Sequence, residues 1–578
     1  MLKRASPSAM VERSSKQPAF SRSLVASASS NKSSLAATLK NLSDAGQLDH
    51  SAVSTKSLRS IRKDIQRSNE WHTKAQTPYG SVTKFLRIPG TDFEWGYICP
   101  FAYLHHMASM SDAFQSAMGA CTRSPDPLRI VIYADSICPG NPFRPEKSRT
   151  VCCIYWTVVD WPAWLLQRSG VWPILGFVRD VVLTQFDGGL SRLMRHIIRL
   201  MFIPQPSEPS FATGITLPGG INVRGRFVGF LADLAAHKDL FHFKGASGWK
   251  CCFECGNLIN NKIVESTDGK FVGLGCSDRT KFQRYPDEDT FFIADELCRL
   301  SGTVPPARFE TLQKELGFRY APQGLLSDVS IRSVIRPSEH CIRDWMHTFV
   351  GDGIANSEVA MLIHSLSDVG ISRDHVRSFA AKCQLPKAHG KVHPNWLGDS
   401  RLTNHTISSF SSIMLSILPI MCLFLAEFDI ASRMPDHVSC FHELCWIIGL
   451  LQTGPERAMR FVSTLRDLIA SHHRQFWRLY ASGIKPKIHH AHHIVDGMVA
   501  VGKCLSCFVT ERKHRSVKAA ALHIFRNFEH TLTANVITAQ IENLRAGNDF
   551  FLRSSTYPPK SLRCWATSSS HPRPPSLP

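Results

Sequence analysis

Three acidic residues stand where they could hold metal ions for phosphodiester chemistry. Asp135 ends the β-branched run RIVIYAD (129–135), and Asp233 ends a second strand-like run, RFVGFLAD (226–233). Glu511, in CFVTERKH, opens a segment that we expect to be helical. Two magnesium ions need hard oxygen ligands that converge from different elements and leave room for water and phosphate. The competing acids that the spacing leaves open are Asp160, Asp239 and Asp344, the last as an alternative second acid.

A second group of residues has the chemistry of a closed zinc site. Cys252 and Cys255 have the spacing of a zinc knuckle, and neighbouring glycines allow its tight turn. His489 and His493 are one helical turn apart and so face the same way. Two Cys and two His predict a structural zinc site. By joining two distant parts of the chain, it would bring Glu511 close to Asp135 and Asp233. The alternatives left open are Cys251, His490 and His492, with His472 and His473 as more distant ones.

The order of the elements predicts how the acids meet. RIVIYAD, VCCIYWTVV (151–159), WPILGFV (172–178) and RFVGFLAD are typical of strands, and GLSRLMRHIIRLMF (189–202) has helical spacing. Three strands, a helix and a strand is the arrangement of an RNase H-like α/β core, in which the first and fourth strands are neighbours. We therefore expect Asp135 and Asp233 to lie side by side.

The composition divides the chain into five parts. We expect a disordered basic arm (1–75), the first part of the core (76–260), a mainly helical insertion (261–485), a closing segment with the histidines and Glu511 (486–553), and a disordered tail (554–578). The Arg- and Ser-rich arm would also suit an organelle transit peptide. The longest apolar run, IMLSILPIMCLFLAEF, is too short for a membrane span and predicts a buried helix.

The charge of the chain indicates a polyanionic partner. The formal net charge is +20, which favours nucleic acid over membrane. The 18 cysteines show no compact secreted-type framework, which favours the nucleus or cytosol. The residues that we expect to contact DNA phosphate are Lys244, Lys250, Arg512, Lys513, Arg515 and Lys518.

Five blocks together resemble a known family. They are YADSICPGNPFRPEKSRTVCCIYWTVVDWPAW, FLADLAAHKDLFHFKGASGWKCCFEC, DWMHTFVGDG, KPKIHHAHHI and CFVTERKHRSVK. The set is similar to the CACTA-type DDE transposases of the CACTA, Mirage and Chapaev superfamily, including Plavaka-like members. It is also distantly similar to the catalytic subunit of the V(D)J recombinase, in which Cys and His pairs bind zinc. DWMHTFVGDG matches the family's Asp-x-x-His motif through Asp344 and His347, whereas Ser136 replaces the family's usual glycine after the first aspartate.

The resemblance implies a DNA transposase that cuts and joins strands with Mg²⁺ or Mn²⁺. Asp135, Asp233 and Glu511 would be its catalytic acids, and a structural Zn²⁺ would bind Cys252, Cys255, His489 and His493. It further implies double-stranded DNA as partner, both transposon ends and target, a homodimer or higher oligomer, and the nucleus as location. The alternative is a catalytically inactive, transposon-derived DNA-binding protein that keeps the zinc site.

Overall fold

Five strands form a mixed sheet at the centre of the molecule. The computed structural model describes residues 58–139, 147–385, 394–403, 405–522, 524, 526–546 and 550–551. The sheet strands are β1 (Leu128–Ile137), β2 (Val151–Val158), β3 (Ile174–Arg179), β4 (Gly225–Ala232) and β5 (Cys341–Arg343). Their order is β5-β4-β1-β2-β3; β1, β2 and β3 are antiparallel neighbours, whereas β1, β4 and β5 run parallel.

The strand register brings acids to one edge of the sheet. Leu231 of β4 pairs with Tyr133 of β1, and each precedes an aspartate by two residues. The next position of β4, Ala232, pairs with Arg343 of β5, which precedes Asp344. Parallel neighbouring strands end at a common edge. Asp135, Asp233 and Asp344 therefore lie in a row there, although β1 itself continues past Asp135.

Apolar side chains hold the sheet between its covering elements. All eight residues of β2 are buried, as expected for a strand covered on both faces. Trp95 is buried against β3 and donates its indole N–H to the carbonyl of Phe177 at 3.0 Å. Gly229 lies at a register shift in β4, where an added Cβ would come within 2.6 Å of Ile342. A glycine there lets β5 approach β4 closely.

Six helices pack on the sheet or on one another around it. They are α1 (Gly189–Phe202), α2 (Leu234–Phe241), α3 (Trp345–Phe349), α4 (Pro486–Val501), α5 (Phe508–Ala521) and α6 (Phe528–Ala546). Helix α4 packs against β5, and α6 packs against both β3 and α5. The first and fourth predicted strands and the predicted helix 189–202 coincide with β1, β4 and α1. The chain is thus α/β, with the acids beside α2, α3 and α5.

The remaining elements are mainly helical. Three small antiparallel hairpins pair Gln76–Thr77 with Gly80–Ser81, Thr83–Arg87 with Glu94–Ile98, and Ile215–Leu217 with Ile221–Val223. The other α-helices are Leu58–Thr73, Pro100–Met110, Asp112–Cys121, Ala163–Leu166, Asp180–Leu183, Asp287–Leu300, Pro306–Leu316, Pro337–His340, Ile354–Ser365, Arg373–Lys382, Ser411–Glu427, Ile430–Arg433, Pro435–Gln452 and Val462–Tyr480. None of the helices in the described ranges is both long and apolar enough to cross a membrane.

Two predicted boundaries were wrong. The arm expected over 1–75 contains the helix Leu58–Thr73, which is tied to α6 by hydrogen bonds from Asn69 to Asn535 and from His72 to Glu542, both 2.7 Å. These are polar contacts, which a composition poor in apolar residues does not reveal. Residues 1–57 and the tail 554–578 lie outside the described part of the chain.

The second wrong boundary concerns the segment 261–485. It was expected to be an insertion outside the core, but it contains β5, the edge strand beside β4. Three residues, Cys341–Arg343, are too few to show the alternation from which a strand is predicted. Helices of this segment therefore precede and follow β5 along the chain.

Candidate functional site

Asp135 and Glu511 meet at the sheet edge. Asp135 projects from β1, and Glu511 lies in the first turn of α5. Nδ1 of His514 is 3.6 Å from Oδ2 of Asp135 and also 3.6 Å from Oε2 of Glu511. Single ligand atoms of these three residues all lie within 4.8 Å of one another. We call Asp135, Asp233 and Glu511 the acid cluster.

Asp233 lies at the end of the neighbouring strand, two residues after the Leu231–Tyr133 pair. Its Oδ1 accepts the backbone N–H of Ala236 at 2.7 Å, so it caps α2, a role common for an Asp after a strand. Burial, followed by the Glu511 and Asp233 carboxylates, raises the pKa of Asp135 to about 8. Asp233 is thus both a helix cap and an electrostatic neighbour of Asp135.

A charged histidine lies among these carboxylates. Nδ1 of His347 donates to Oδ2 of Asp344 at 2.8 Å, and its Nε2 is 3.9 Å from Oε1 of Glu511. Burial opposes a positive charge, but Asp344, Asp233 and Glu511 together raise the pKa of His347 to about 9. For Glu511, burial is likewise outweighed, mainly by His514, and its pKa falls to about 2. His347 therefore balances part of the negative charge of the site, whereas burial lowers the pKa of His514.

Asp344 has a different position from the other acids. Its side chain is buried; Oδ2 accepts the backbone N–H and Nδ1–H of His347, and Oδ1 accepts the backbone N–H of Cys507 at 2.9 Å. Cys507 immediately precedes α5, so Asp344 fixes the start of the helix that carries Glu511. Both of its carboxylate oxygens are engaged in this way. The geometry supports Asp344 as a positioning residue rather than the second acid.

The other competing acids lie elsewhere. Asp160 forms an ion pair with Arg129, at 2.7 Å, beside the opposite end of β1 from Asp135. Asp239 is exposed and pairs with Arg319 at 3.1 Å. Neither residue belongs to the acid cluster.

Cys252, Cys255, His489 and His493 also come together, and we call them the Cys/His cluster. One ligand atom from each lies within 4.8 Å of the others, and all four residues are buried. Nε2 of His493 is 3.4 Å from both sulfur atoms and 2.9 Å from Nε2 of His489. Burial raises the pKa of Cys252, but Cys255 and the two histidines outweigh it and lower that pKa well below its ordinary value.

The surroundings of this cluster fit a metal ion. Glu254 Oε2 is 3.1 Å from Nδ1 of His493, so Nδ1 can donate to it while Nε2 faces the sulfurs. Such a carboxylate behind a histidine orients the ring as a ligand. Arg343 forms a buried ion pair with Glu254 and lies 3.8 Å from the sulfur of Cys252. The chain therefore contains a buried Cys/His cluster that could hold a metal ion such as zinc.

The alternative ligands have other positions. His492 is 2.8 Å from His473, whose second ring nitrogen contacts the carbonyl of Leu274. His472 pairs with Glu358 in the helical segment. His490 has both ring nitrogens buried and unpartnered among the described residues, and it faces a cavity. Cys251 is buried outside the cluster.

The cavity lies on the Asp233 side of the acid cluster. Its volume is about 470 Å³. It is bounded by acids from the ends of β4 and β5 and by cations from α2 and α4. The charged and histidine residues of its wall are Asp233, His237, Lys238, Arg343, Asp344, His347, Asp352, Lys487 and His490.

Two of the six cations expected at DNA phosphate are buried. Lys513 is buried and donates to the carbonyl of Trp172 and to Gln540, and burial lowers its pKa to about 7. Lys244 is also buried and pairs with Glu310 at 2.6 Å. Lys250 is half-buried against Tyr285. The exposed cations of the set are Arg512, Arg515 and Lys518.

Sequence reasoning missed two neighbours of the predicted ligands. His514 follows Glu511 by three residues, a spacing that places both on one helical face. Glu254 lies between the two cysteines, where an acid facing the second pair of ligands could have been considered. A pattern search restricted to the ligands themselves does not find such supporting residues.

The comparisons with known proteins add no assignment. No protein-family model matches the chain, and a comparison with curated proteins finds no match either.

Proposed function

We propose that the protein is a DNA transposase with an RNase H-like catalytic core. The observation that carries the proposal is that Asp135 and Glu511 offer ligand atoms within 4.8 Å of each other where the neighbouring parallel strand ends in Asp233. The strand order β5-β4-β1-β2-β3, with β1 parallel to β4 and antiparallel to β2, is that of RNase H-like folds and supports the core assignment.

The acid cluster fits divalent metal ions of the magnesium class. It offers carboxylate oxygens at a partly exposed edge, with Glu511 37% exposed, so water and phosphate can complete the coordination. Bound there, two Mg²⁺ or Mn²⁺ ions would activate water for strand cleavage and then the freed 3′-hydroxyl for strand joining. Asp135, Asp233 and Glu511 would hold the ions, and Asp344 would hold the start of α5 so that Glu511 reaches them.

The Cys/His cluster would bind a structural zinc ion. Its four ligands are two sulfurs and two nitrogens in a buried site, the donor set of closed zinc sites. The chain charge of +20 and the exposed Arg512, Arg515 and Lys518 support double-stranded DNA as the substrate. We propose that the protein acts in the nucleus as a homodimer or higher oligomer.

The test is magnesium-dependent cleavage of DNA that carries the candidate terminal repeats from the flanking genomic sequence. Glu511→Gln keeps the side-chain shape and removes the charge; we expect it to reduce cleavage more than about a thousand-fold, the scale seen for members of a catalytic group. DNA binding and zinc content should remain unchanged. The control is Glu296→Gln, which removes only an exposed ion pair with Arg299.

Two outcomes would contradict this proposal. If Glu511→Gln cleaves normally, the third acid lies elsewhere. If the wild-type protein binds these DNA ends tightly but does not cleave them with either Mg²⁺ or Mn²⁺, it is an inactive, transposon-derived DNA-binding protein.

A further inference from the structure

The helical segment contains a second buried set of side chains with metal-ligand chemistry. Glu358 lies on the helix Ile354–Ser365, Cys440 on Pro435–Gln452 and His472 on Val462–Tyr480. One ligand atom from each lies within 4.8 Å of the others. None of the three residues is more than 3% exposed. We call them the helical cluster.

Part of this cluster has a simple explanation. Nε2 of His472 is 2.7 Å from Oε2 of Glu358, a normal hydrogen-bond distance. A buried carboxylate next to one imidazole is a common way to satisfy both groups. This pair accounts for one oxygen and one nitrogen of the cluster.

The pair leaves other polar atoms unexplained. Oε1 of Glu358 is buried and accepts no hydrogen bond from any described residue. The hydroxyl of Tyr480, two turns after His472, is likewise buried and unpartnered within the described part of the chain. Leaving a buried polar atom without a partner is destabilising. The three side chains therefore form a buried donor set beside polar atoms that lack a partner among the described residues.

We propose that Glu358, Cys440 and His472 bind a second divalent transition metal ion, of the zinc class. Thiolate, imidazole and carboxylate are a zinc donor set, and water or the Tyr480 hydroxyl can supply the fourth ligand. A thiolate and a carboxylate neutralise a divalent ion, so the filled site carries no net charge in the core. The ion would tie three helices of the segment together, independently of the acid cluster and of the Cys/His cluster.

The experiment measures metal stoichiometry on the purified full chain. After chelation and dialysis against zinc, we expect two zinc ions in the wild type and one in Cys440→Ala or His472→Ala. The matched control, Cys445→Ala, lies on the same helix as Cys440 and contacts Cys422, and should retain two. Cys255→Ser should also retain one, and combining it with Cys440→Ala should leave none.

A wild-type measurement guards against variants that fail to fold. X-ray absorption at the zinc edge should show about 1.5 sulfur ligands per zinc, the average of a two-sulfur and a one-sulfur site, instead of about two. A wild type with a single zinc and two sulfur ligands would overturn the proposal, as would an undiminished zinc content in folded Cys440→Ala. In either case the helical cluster would be a hydrogen-bonded Glu-His pair with a core cysteine beside it.

Discussion

The acid cluster and the Cys/His cluster differ in nearly every physical respect. The first offers oxygen atoms at an open sheet edge, with Glu511 37% exposed; the second offers sulfur and nitrogen, with no member more than 4% exposed. An open oxygen site suits exchangeable ions and substrate, whereas a closed site suits a permanent ion. The acid cluster thus suits the reaction centre proposed above, and the Cys/His cluster suits a structural metal site.

The end of β5 connects the two clusters. Arg343 contacts Glu254 and Cys252 on the side of the Cys/His cluster, and the next residue, Asp344, accepts the backbone N–H of Cys507 at the start of α5. Lys487 on α4 adds a contact by donating to the carbonyl of His347 at 3.1 Å. Loss of the metal ion from the Cys/His cluster should therefore disturb the acid cluster. Loss of a charge from the acid cluster should leave the Cys/His cluster intact.

The largest effect on this comparison is expected from His493→Ala. We expect loss of the bound zinc, a fall in the free energy of unfolding of about 4 kcal/mol or more, and loss of cleavage, because α4 is released from the cysteines. Zinc analysis, thermal unfolding and the cleavage assay check the three expectations. The control is His364→Ala, which changes an exposed histidine in the helical segment.

A normal zinc content in His493→Ala would show that this ligand is not required. If zinc also persisted after both His489 and His493 were replaced, the ligands would have to be neighbours such as His490. If a zinc-free, folded variant still cleaved DNA, the acid cluster would not depend on the Cys/His cluster.

A smaller effect is expected from Glu254→Gln. The amide can still approach His493 but lacks the charge that orients the imidazole and balances Arg343. We expect zinc affinity to fall about 10- to 100-fold, the range for carboxylates behind metal-binding histidines. Competition with a chelator measures it, and Glu265→Gln, which removes an exposed ion pair with Lys281, is the control. Equal affinities for the two variants would exclude a role for Glu254 in the site.

How far the sequence predicts these features depends on the length of the signal. β1 and β4 are long apolar runs, so the neighbouring placement of Asp135 and Asp233 could be predicted. β5 has three residues and is specified by its pairing with β4, which no local pattern contains. Its charge alone predicts that Lys513 contacts DNA, whereas its position midway between the buried Val509 and Val517 on one face of α5 indicates burial.

The side-chain partners around each site were less predictable. The contacts of Asp344 with Cys507 and of Arg343 with Glu254 join residues far apart in the chain, and they depend on the tertiary fold. The four Cys/His ligands could be predicted from the sequence. The two cysteines have the spacing of a tight turn, and the two histidines are one helical turn apart.

The smallest effect is expected from Asp135→Asn in the absence of divalent ions. Because the pKa of Asp135 is raised to about 8 in the folded protein, the native state keeps a proton that the unfolded chain has already lost. Stability therefore falls as pH rises from about 4 to 8. The pKa of Glu511 is lowered while that of Asp135 is raised, so the two shifts partly cancel in the free energy of unfolding. We expect Asp135→Asn to raise the free energy of unfolding by about 1 kcal/mol at pH 8 and hardly at all at pH 4. Denaturant unfolding at both pH values, in a buffer without added divalent ions and without a chelator that would remove zinc from the Cys/His cluster, measures this. Added Mg²⁺ should stabilise the wild type but not the variant. An Asp135→Asn protein that is less stable than the wild type at pH 8 without Mg²⁺ would show that the carboxylates do not repel one another.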